Sequence, residues 1–267
     1  DKGTGDWVGA EWQVMHRVAG GHTLVGGVEY REDIRGEQLS YYDTQPRVGW
    51  YAAEAKSRNA AAFMQAEIGV TPKLLLNAGA RLDHYFDGFG NTFNPRLAAI
   101  YSPRETTKIK AMYGTAFRAA SPYEQYYQFV GTPLRLLRPE RIRTYELAVD
   151  QYFHRNYRLG VSAYRYYVTD LISQAQDEQG DFYFNNLARV KASGVELEMD
   201  ARFSSGIQAR ANYALQRAED ALTGAVLSNS PRHLAQANVA FPLFDERVML
   251  GAELNYRGSV GTLAGAE

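Results

Sequence analysis

Long segments with one uncharged side constrain the fold of this chain more than any other feature. Apolar and polar side chains alternate with a period of two, whereas helical periodicity is nearly missing. In the segment 195–203 every odd-numbered side chain is apolar, and the even-numbered ones are acids or Arg202. Charge is excluded from one side in the same way at 74–83, 108–113, 207–216 and 248–257. A charge facing hydrocarbon costs about 2–4 kcal/mol at the bilayer midplane, so contact with lipid requires such an exclusion.

The alternation predicts twelve β-strands. Most of them are about 9 to 12 residues long, whereas strands of globular sheets usually have five or six. A tilted strand needs about 9–11 residues to cross a bilayer, so the strand length favours a membrane. The predicted strands are 7–18, 22–31, 59–69, 74–85, 94–102, 107–117, 142–152, 157–168, 189–203, 207–217, 233–242 and 247–257.

The connections decide between a membrane barrel and a soluble sandwich, which also has one apolar and one polar face. Six connections are tight, at 19–21, 70–73, 103–106, 153–156, 204–206 and 243–246. Long segments alternate strictly with them, at 32–58, 86–93, 118–141, 169–188 and 218–232. Short turns at one rim and long loops at the other are typical of outer-membrane barrels, with the turns in the periplasm.

Aromatic side chains collect at the strand ends of both rims, as expected of two interfacial girdles. Phe153, Tyr157, Phe203, Phe241 and Phe244 flank the short turns, and Tyr30, Tyr85, Phe117, Tyr167 and Tyr256 lie at the loop ends. We therefore predict an all-β fold, an antiparallel up-and-down transmembrane β-barrel with about twelve strands of a larger barrel present.

Composition excludes several other classes of protein. Lys and Arg (29) nearly balance Asp and Glu (30), so no net field points to nucleic acid. Cysteine is absent, which removes disulfides, thiolate metal sites and cysteine nucleophiles. The sequence contains no run of about 18 apolar residues, so no transmembrane helix is predicted. The first residues do not resemble a signal peptide.

Six motifs occur in an order and spacing that resemble the C-terminal barrel of TonB-dependent outer-membrane receptors, which import ferric siderophores, cobalamin and similar ligands. Two positions depart from the family pattern, which often has Pro at Ala120 and Gly at Ala148. The motifs are FNPRLA (93–98), YGTAFRAASPYE (113–124), LRPERIRTYEL (137–147), DLI (170–172), NNLARVKASGVELE (185–198) and NSPRH (229–233).

The resemblance implies a barrel of twenty-two strands filled by an N-terminal plug, whose preceding segment contacts the TonB complex. Residues 1–267 are then expected to be part of the barrel, without the plug and the remaining strands. Both ends of the chain are predicted at the loop rim, because the first and last connections are short. The expected location is the bacterial outer membrane, and the expected partners are its lipid, a metal chelate at the loops, and TonB only through the missing region.

Aromatic and arginine side chains in the long loops are the candidate ligand contacts, since they can stack on and pair with an anionic aromatic chelate. Loop packing and interfacial anchoring are the alternative explanations for the same residues. The candidates are Phe86, Phe89, Arg118, Tyr123, Tyr126, Tyr127, Arg135, Phe182 and Tyr183.

Other functions have weaker support in the sequence. The five histidines are scattered over both rims, so no bare-metal site and no cofactor are predicted. Ser230 and His233 are close in sequence, but no Gly-x-Ser-x-Gly elbow accompanies them, and the chain is not expected to be an enzyme. The alternative function is a passive channel or porin of smaller bore, and the alternative fold is a soluble β protein.

Overall fold

A computed structural model describes residues 2–42, 46, 48–86, 88–126, 136–176, 180, 182–244 and 247–261. Among these residues, no helix has the length and apolar character needed to cross a membrane. The elements are β1 (Lys2–Val18), β2 (His22–Tyr42), β3 (Val48–Glu54), β4 (Ser57–Thr71), β5 (Leu74–Tyr85), β6 (Gly90–Arg104), β7 (Thr107–Arg118), α1 (Pro122–Tyr126), β8 (Glu140–Phe153), β9 (Tyr157–Gln176), β10 (Phe182–Arg202), β11 (Gln208–Asp220), β12 (His233–Leu243) and β13 (Val248–Arg257).

All strands belong to one antiparallel sheet in which neighbours in sequence are neighbours in space. The order is β1-β2-β4-β5-β6-β7-β8-β9-β10-β11-β12-β13, and β3 pairs with the outer part of β2. β1 and β13 are the two edges of the described sheet. The predicted up-and-down topology is confirmed, since each strand of this path pairs antiparallel with the one before it.

The twelve predicted strands are all present, but several loop predictions are wrong in extent. β2 continues to Tyr42, β9 continues to Gln176 and β10 begins at Phe182, so much of 32–58 and 169–188 is strand. β3 lies inside the first of these segments, and β6 begins at Gly90, inside the predicted loop 86–93. The physical reason is that backbone pairing between two strands continues beyond the membrane, where no apolar alternation marks it.

The apolar sides of the strands are not covered by another part of the described chain. Leu147 is 53% exposed and Leu254 is 68% exposed, and among the described residues no large side chain is fully buried. The charged carboxylates Asp83 and Asp150 are instead 2% and 4% exposed. An apolar surface of this extent needs a cover other than water, because soluble monomers rarely expose one. We call this side of the sheet the apolar face and the opposite side the polar face.

Candidate functional site

The candidate site lies at the loop rim, where the ends of β5, β7, β8, β9 and β10 come together with α1. The ladder between β6 and β7 ends at the pair Arg96 and Gly114, although both strands continue. Near this end of the two strands, the aromatic rings of Tyr85, Phe89 and Phe117 lie together. Phe89 lies 4.6 Å from Tyr85 and 6.0 Å from Phe117, measured between ring centroids.

Arg118 connects the two ends of the long loop between β7 and β8. Its Nε donates a hydrogen bond to Glu140 Oε2 at 2.6 Å, and its Nη1 donates to Glu124 Oε2 at 2.8 Å. Glu140 in turn accepts a hydrogen bond from the backbone N–H of Ile172 in β9, at 2.9 Å. The hydrogen bonds from Arg118 to the two carboxylates are charge-assisted and therefore strong. We name Arg118, Glu124 and Glu140 the rim clamp. The clamp fixes α1 and the start of β8 to one another.

A capping box begins the short helix α1. The Ser121 hydroxyl accepts from the backbone N–H of Glu124 at 3.2 Å, and the Glu124 carboxylate accepts from the N–H of Ser121 at 2.8 Å. This reciprocal pair satisfies two donors that a helix start otherwise leaves open. The sequence contains its signature, Ser121-Pro122-Tyr123-Glu124, which our sequence interpretation missed and which could have located the helix.

Glu124 is ionised at neutral pH and carries part of the clamp's charge. Burial alone would raise its pKa, but hydrogen bonds from Arg118 and from Ser121 outweigh that effect and hold the pKa below its ordinary value. A carboxylate stabilised in this way keeps its negative charge beside the guanidinium over the physiological pH range.

Asn186 joins the same loop to the hairpin of β9 and β10. Its Oδ1 accepts from the backbone N–H of Arg138 at 2.8 Å, and its Nδ2 donates to the carbonyls of Arg138 and Asp170, at 2.9 and 2.6 Å. The Arg138 guanidinium also pairs with Asp170 at 2.7 Å. Asp170 has a positive φ of 56°. It lies within β9, which continues to Gln176, so the prediction that this strand ends at residue 168 is wrong.

The nine predicted ligand contacts have different surroundings. Phe86 is 52% exposed and lies edge-on to His84 at 4.6 Å, Phe89 is in the ring cluster, and Arg118 is in the clamp. Tyr123 of α1 lies 5.6 Å from Phe184 of β10, which brings the helix to the hairpin.

The remaining candidates were placed in loops, and the structure alters some of these placements. Phe182 and Tyr183 are strand residues at the start of β10 rather than loop residues. Tyr126 ends α1, but its side chain lies outside the description. Tyr127 and Arg135 lie outside the described residues altogether.

The polar face has its own network of charges near the short turns. Arg158 donates to Asp150 at 2.6 Å and to Glu198 at 2.7 Å, and Asp150 also pairs with Lys110 at 2.7 Å. Gly160 leaves room for this arrangement, because a Cβ there would lie 3.1 Å from the Arg158 guanidinium. The network joins β7, β8, β9 and β10 across the polar face.

The histidines and acids of the described residues do not form a metal-binding cluster. No group of three His, Asp or Glu side chains suited to a metal ion occurs among them. Nδ1 of His233 lies 2.7 Å from the Tyr213 hydroxyl, so this histidine is paired with a tyrosine rather than with Ser230.

An open antiparallel sheet of long strands, apolar on one face and charged on the other, defines an outer-membrane β-barrel protein. A family model described as TonB dependent receptor-like, beta-barrel, matches residues 2–266. The chain belongs to this family of TonB-dependent receptor β-barrels. Membership confirms the predicted outer-membrane location and agrees with the prediction that the chain is not an enzyme, since the family consists of receptors and transporters.

Similar proteins include a vitamin B12 transporter, BtuB of Vibrio cholerae serotype O1, which is 28% identical over 240 residues. The match covers 88% of this chain and 36% of the transporter, so the chain spans about a third of that relative's length.

Two solved receptors share the fold at 16% identity. The ferric-catecholate import receptor Fiu of Escherichia coli K12 superimposes with a TM-score of 0.75, over 95% of this chain and 44% of Fiu. The ferripyoverdine receptor of Pseudomonas aeruginosa gives a TM-score of 0.76, over 95% and 38% of the two chains.

Proposed function

We propose that this chain is the ligand-facing barrel segment of a receptor that imports a metal chelate, such as a ferric siderophore or cobalamin, with energy from the inner membrane. The interlocked loop rim carries the proposal. The rim clamp, Asn186 and the contact between Tyr123 and Phe184 organise a long loop and a hairpin around aromatic side chains. A fixed aromatic rim with nearby cations suits a large anionic or aromatic ligand better than free diffusion of small solutes.

The functions of the similar proteins support this class of cargo. One is a vitamin B12 transporter, and another imports ferric catecholates. We propose that the plug, the remaining strands and the contact with TonB come from parts of the full-length receptor outside this sequence.

Within the rim, the candidate residues divide into two proposed roles. Arg118 is engaged by two carboxylates, so we assign it to positioning α1 rather than to ligand contact. Phe86, Phe89, Tyr123, Phe182 and Tyr183 are the proposed contacts within the described part of the chain. Tyr126, Tyr127 and Arg135 remain proposed contacts on the evidence of the sequence.

An uptake assay tests the proposed function and its energy coupling. The full-length receptor is expressed in cells that lack their own receptors, with and without TonB, and radiolabelled cyanocobalamin, a ferric catecholate and a ferric hydroxamate are supplied in turn. Uptake of one of them that disappears without TonB is the expected result. Equal uptake in both strains would show a passive channel instead.

A binding assay tests the position of the ligand. The probe is whichever of the three complexes the cells import, titrated against the purified full-length receptor. Tyr126→Ala with Tyr127→Ala is expected to weaken binding at least about fivefold, since stacked aromatic contacts contribute about 0.5–1.5 kcal/mol each. The matched control is Tyr101→Ala with Tyr157→Ala, at the short-turn rim. Unchanged affinity in the first variant, or an equal loss in both, would contradict the proposed rim site.

A further inference from the structure

On strands β8, β9, β10 and β11, the apolar face becomes polar and basic towards the loop rim. Paired residues define successive rows across these four strands. The first row is entirely apolar and consists of Leu147, Ala163, Val195 and Leu215. The next two rows on the same face are Tyr145, Arg165, Ser193 and Arg217, and then Arg143, Tyr167, Lys191 and Glu219.

We name Arg143, Arg165, Lys191 and Arg217 the basic patch. Neighbouring strands are about 4.8 Å apart, and alternate residues of one strand are about 6.8 Å apart. Four cations therefore lie within an area of roughly 15 by 7 Å. β8 begins at the loop rim with Glu140, so the patch lies on the loop side of the apolar band, at the level of the outer-leaflet headgroups.

Most of the positive charge in the basic patch is not neutralised by the protein. Within the described part of the chain, Arg143 and Arg165 form no ion pair, and Arg165 lies over the Tyr167 ring at 5.1 Å. Lys191 and Arg217 share a single acid, Glu219, with Lys191 Nζ at 3.0 Å from its carboxylate. One acid among four cations leaves a net charge of +3.

Within the described sheet, the neighbouring strands β5, β6 and β7 do not continue the basic patch. On β5 and β6, at a comparable distance from the strand ends, the apolar face carries Leu82 opposite Phe93. On β7, Tyr113 lies beside Tyr145, with ring centroids 5.1 Å apart. A general need for interfacial anchors would be met by aromatic side chains, such as Phe93 and Tyr113 on these strands. The concentration of cations on these four strands therefore indicates a specific anionic partner.

We propose that the basic patch binds the phosphate groups of phosphorylated glycolipids in the outer leaflet. Guanidinium groups match phosphate oxygens in bidentate geometry, and Tyr145 and Tyr167 supply flat surfaces and hydroxyl donors beside them. The apolar row with Leu147 and Val195 lies directly below, where the acyl chains of the same lipid would pack. Charge and apolar surface are thus arranged as the headgroup and chains of one anionic lipid require.

The proposal is tested on the full-length receptor in detergent by native mass spectrometry, with bisphosphorylated lipid A as the probe. The variant Arg143→Gln with Arg165→Gln removes two cations without breaking any ion pair. The matched control, Arg96→Gln with Lys108→Gln, removes two exposed cations from the polar face, also outside any ion pair of the described residues. Heat-resistant migration on gels verifies that both variants fold.

The patch variant is expected to bind bisphosphorylated lipid A about 30-fold more weakly, from roughly fivefold per cation near an anionic surface. The control is expected to bind as the unmodified receptor does. Monophosphorylated lipid A should bind more weakly than the bisphosphorylated form, and zwitterionic phosphatidylethanolamine should not be retained.

Three results would overturn the proposal. If the patch variant retains lipid A as well as the unmodified receptor does, the cations are solvated by water and do not bind the lipid. An equal loss in the control shows a non-specific effect of net charge. Displacement of lipid A by inorganic phosphate at the same concentration shows a site for free phosphate rather than for lipid.

Discussion

Gly194 in the middle of β10 is predicted to be required by the close approach of a neighbouring ring. A Cβ added there would lie 2.7 Å from the Tyr164 ring and 2.9 Å from the carbonyl oxygen of Leu215. Tyr164 cannot move freely, because its hydroxyl donates to Gln216 at 3.1 Å. Gly194 lies well inside β10, so a side chain there would have to displace the ring or the neighbouring strand.

The expected cost of Gly194→Ala is about 1–3 kcal/mol of unfolding free energy, as for other over-packed positions. Urea unfolding of the full-length receptor in liposomes measures it. Gly251→Ala is the matched control, since a Cβ at Gly251 would meet nothing within 4 Å, and we expect a change below about 0.5 kcal/mol.

A double-mutant cycle isolates the physical cause. Tyr164→Ala removes the ring, so Gly194→Ala should cost at least 0.5 kcal/mol less in that background than in the unmodified receptor. An identical cost in both backgrounds would refute the reasoning, because the ring would then have no part in the requirement for glycine.

Three further predictions concern the rim clamp and the apolar face. Glu140→Gln should weaken the hydrogen bonds that Arg118 donates to this side chain. We expect a loss of about 1 kcal/mol in the local stability of the rim, because the half-exposed guanidinium is partly screened by water. Faster hydrogen exchange of the rim amides measures this loss. Because the pKa of Glu124 is lowered on folding, its stabilising effect is present above its unfolded pKa of about 4.3 and is lost as the pH falls through the lower folded value. Proteolysis of the loop after α1 should therefore increase below about pH 4 and not between pH 6 and 8. Leu147→Arg should cost about 2–4 kcal/mol in urea unfolding from lipid, whereas Ala148→Arg, on the polar face, should cost less than 1 kcal/mol.

The sheet could be predicted from the sequence because lipid imposes a strict rule on each strand. Charge is excluded from the apolar side of β10 from Val195 to Phe203, so both strand and face follow from the pattern. Beyond the membrane this rule is absent, and the strand extensions to Tyr42 and Gln176 were missed. There the pairing is held by backbone hydrogen bonds, which leave no signature in side-chain alternation.

The rim was only partly predictable, because its contacts join residues that are far apart in sequence. Arg118 was identified from its position in a long loop, but its partner Glu140 follows 22 residues later, at the far end of the same predicted loop, and was not linked to it. Asn186 and Arg138 are separated by 48 residues, and nothing local marks their contact. The capping box at Ser121 is the exception, since its spacing is local and could have been used.

Spin labels on neighbouring positions test most directly whether lipid covers the apolar face. The chain contains no cysteine, so single cysteines at Val195 and Glu196 place labels on opposite faces of the same strand. In liposomes the label at Val195 should collide mainly with oxygen dissolved in the bilayer, and the label at Glu196 with a water-soluble nickel complex. A label at Val195 that the nickel complex relaxes as strongly as the one at Glu196 would contradict the assignment of the two faces.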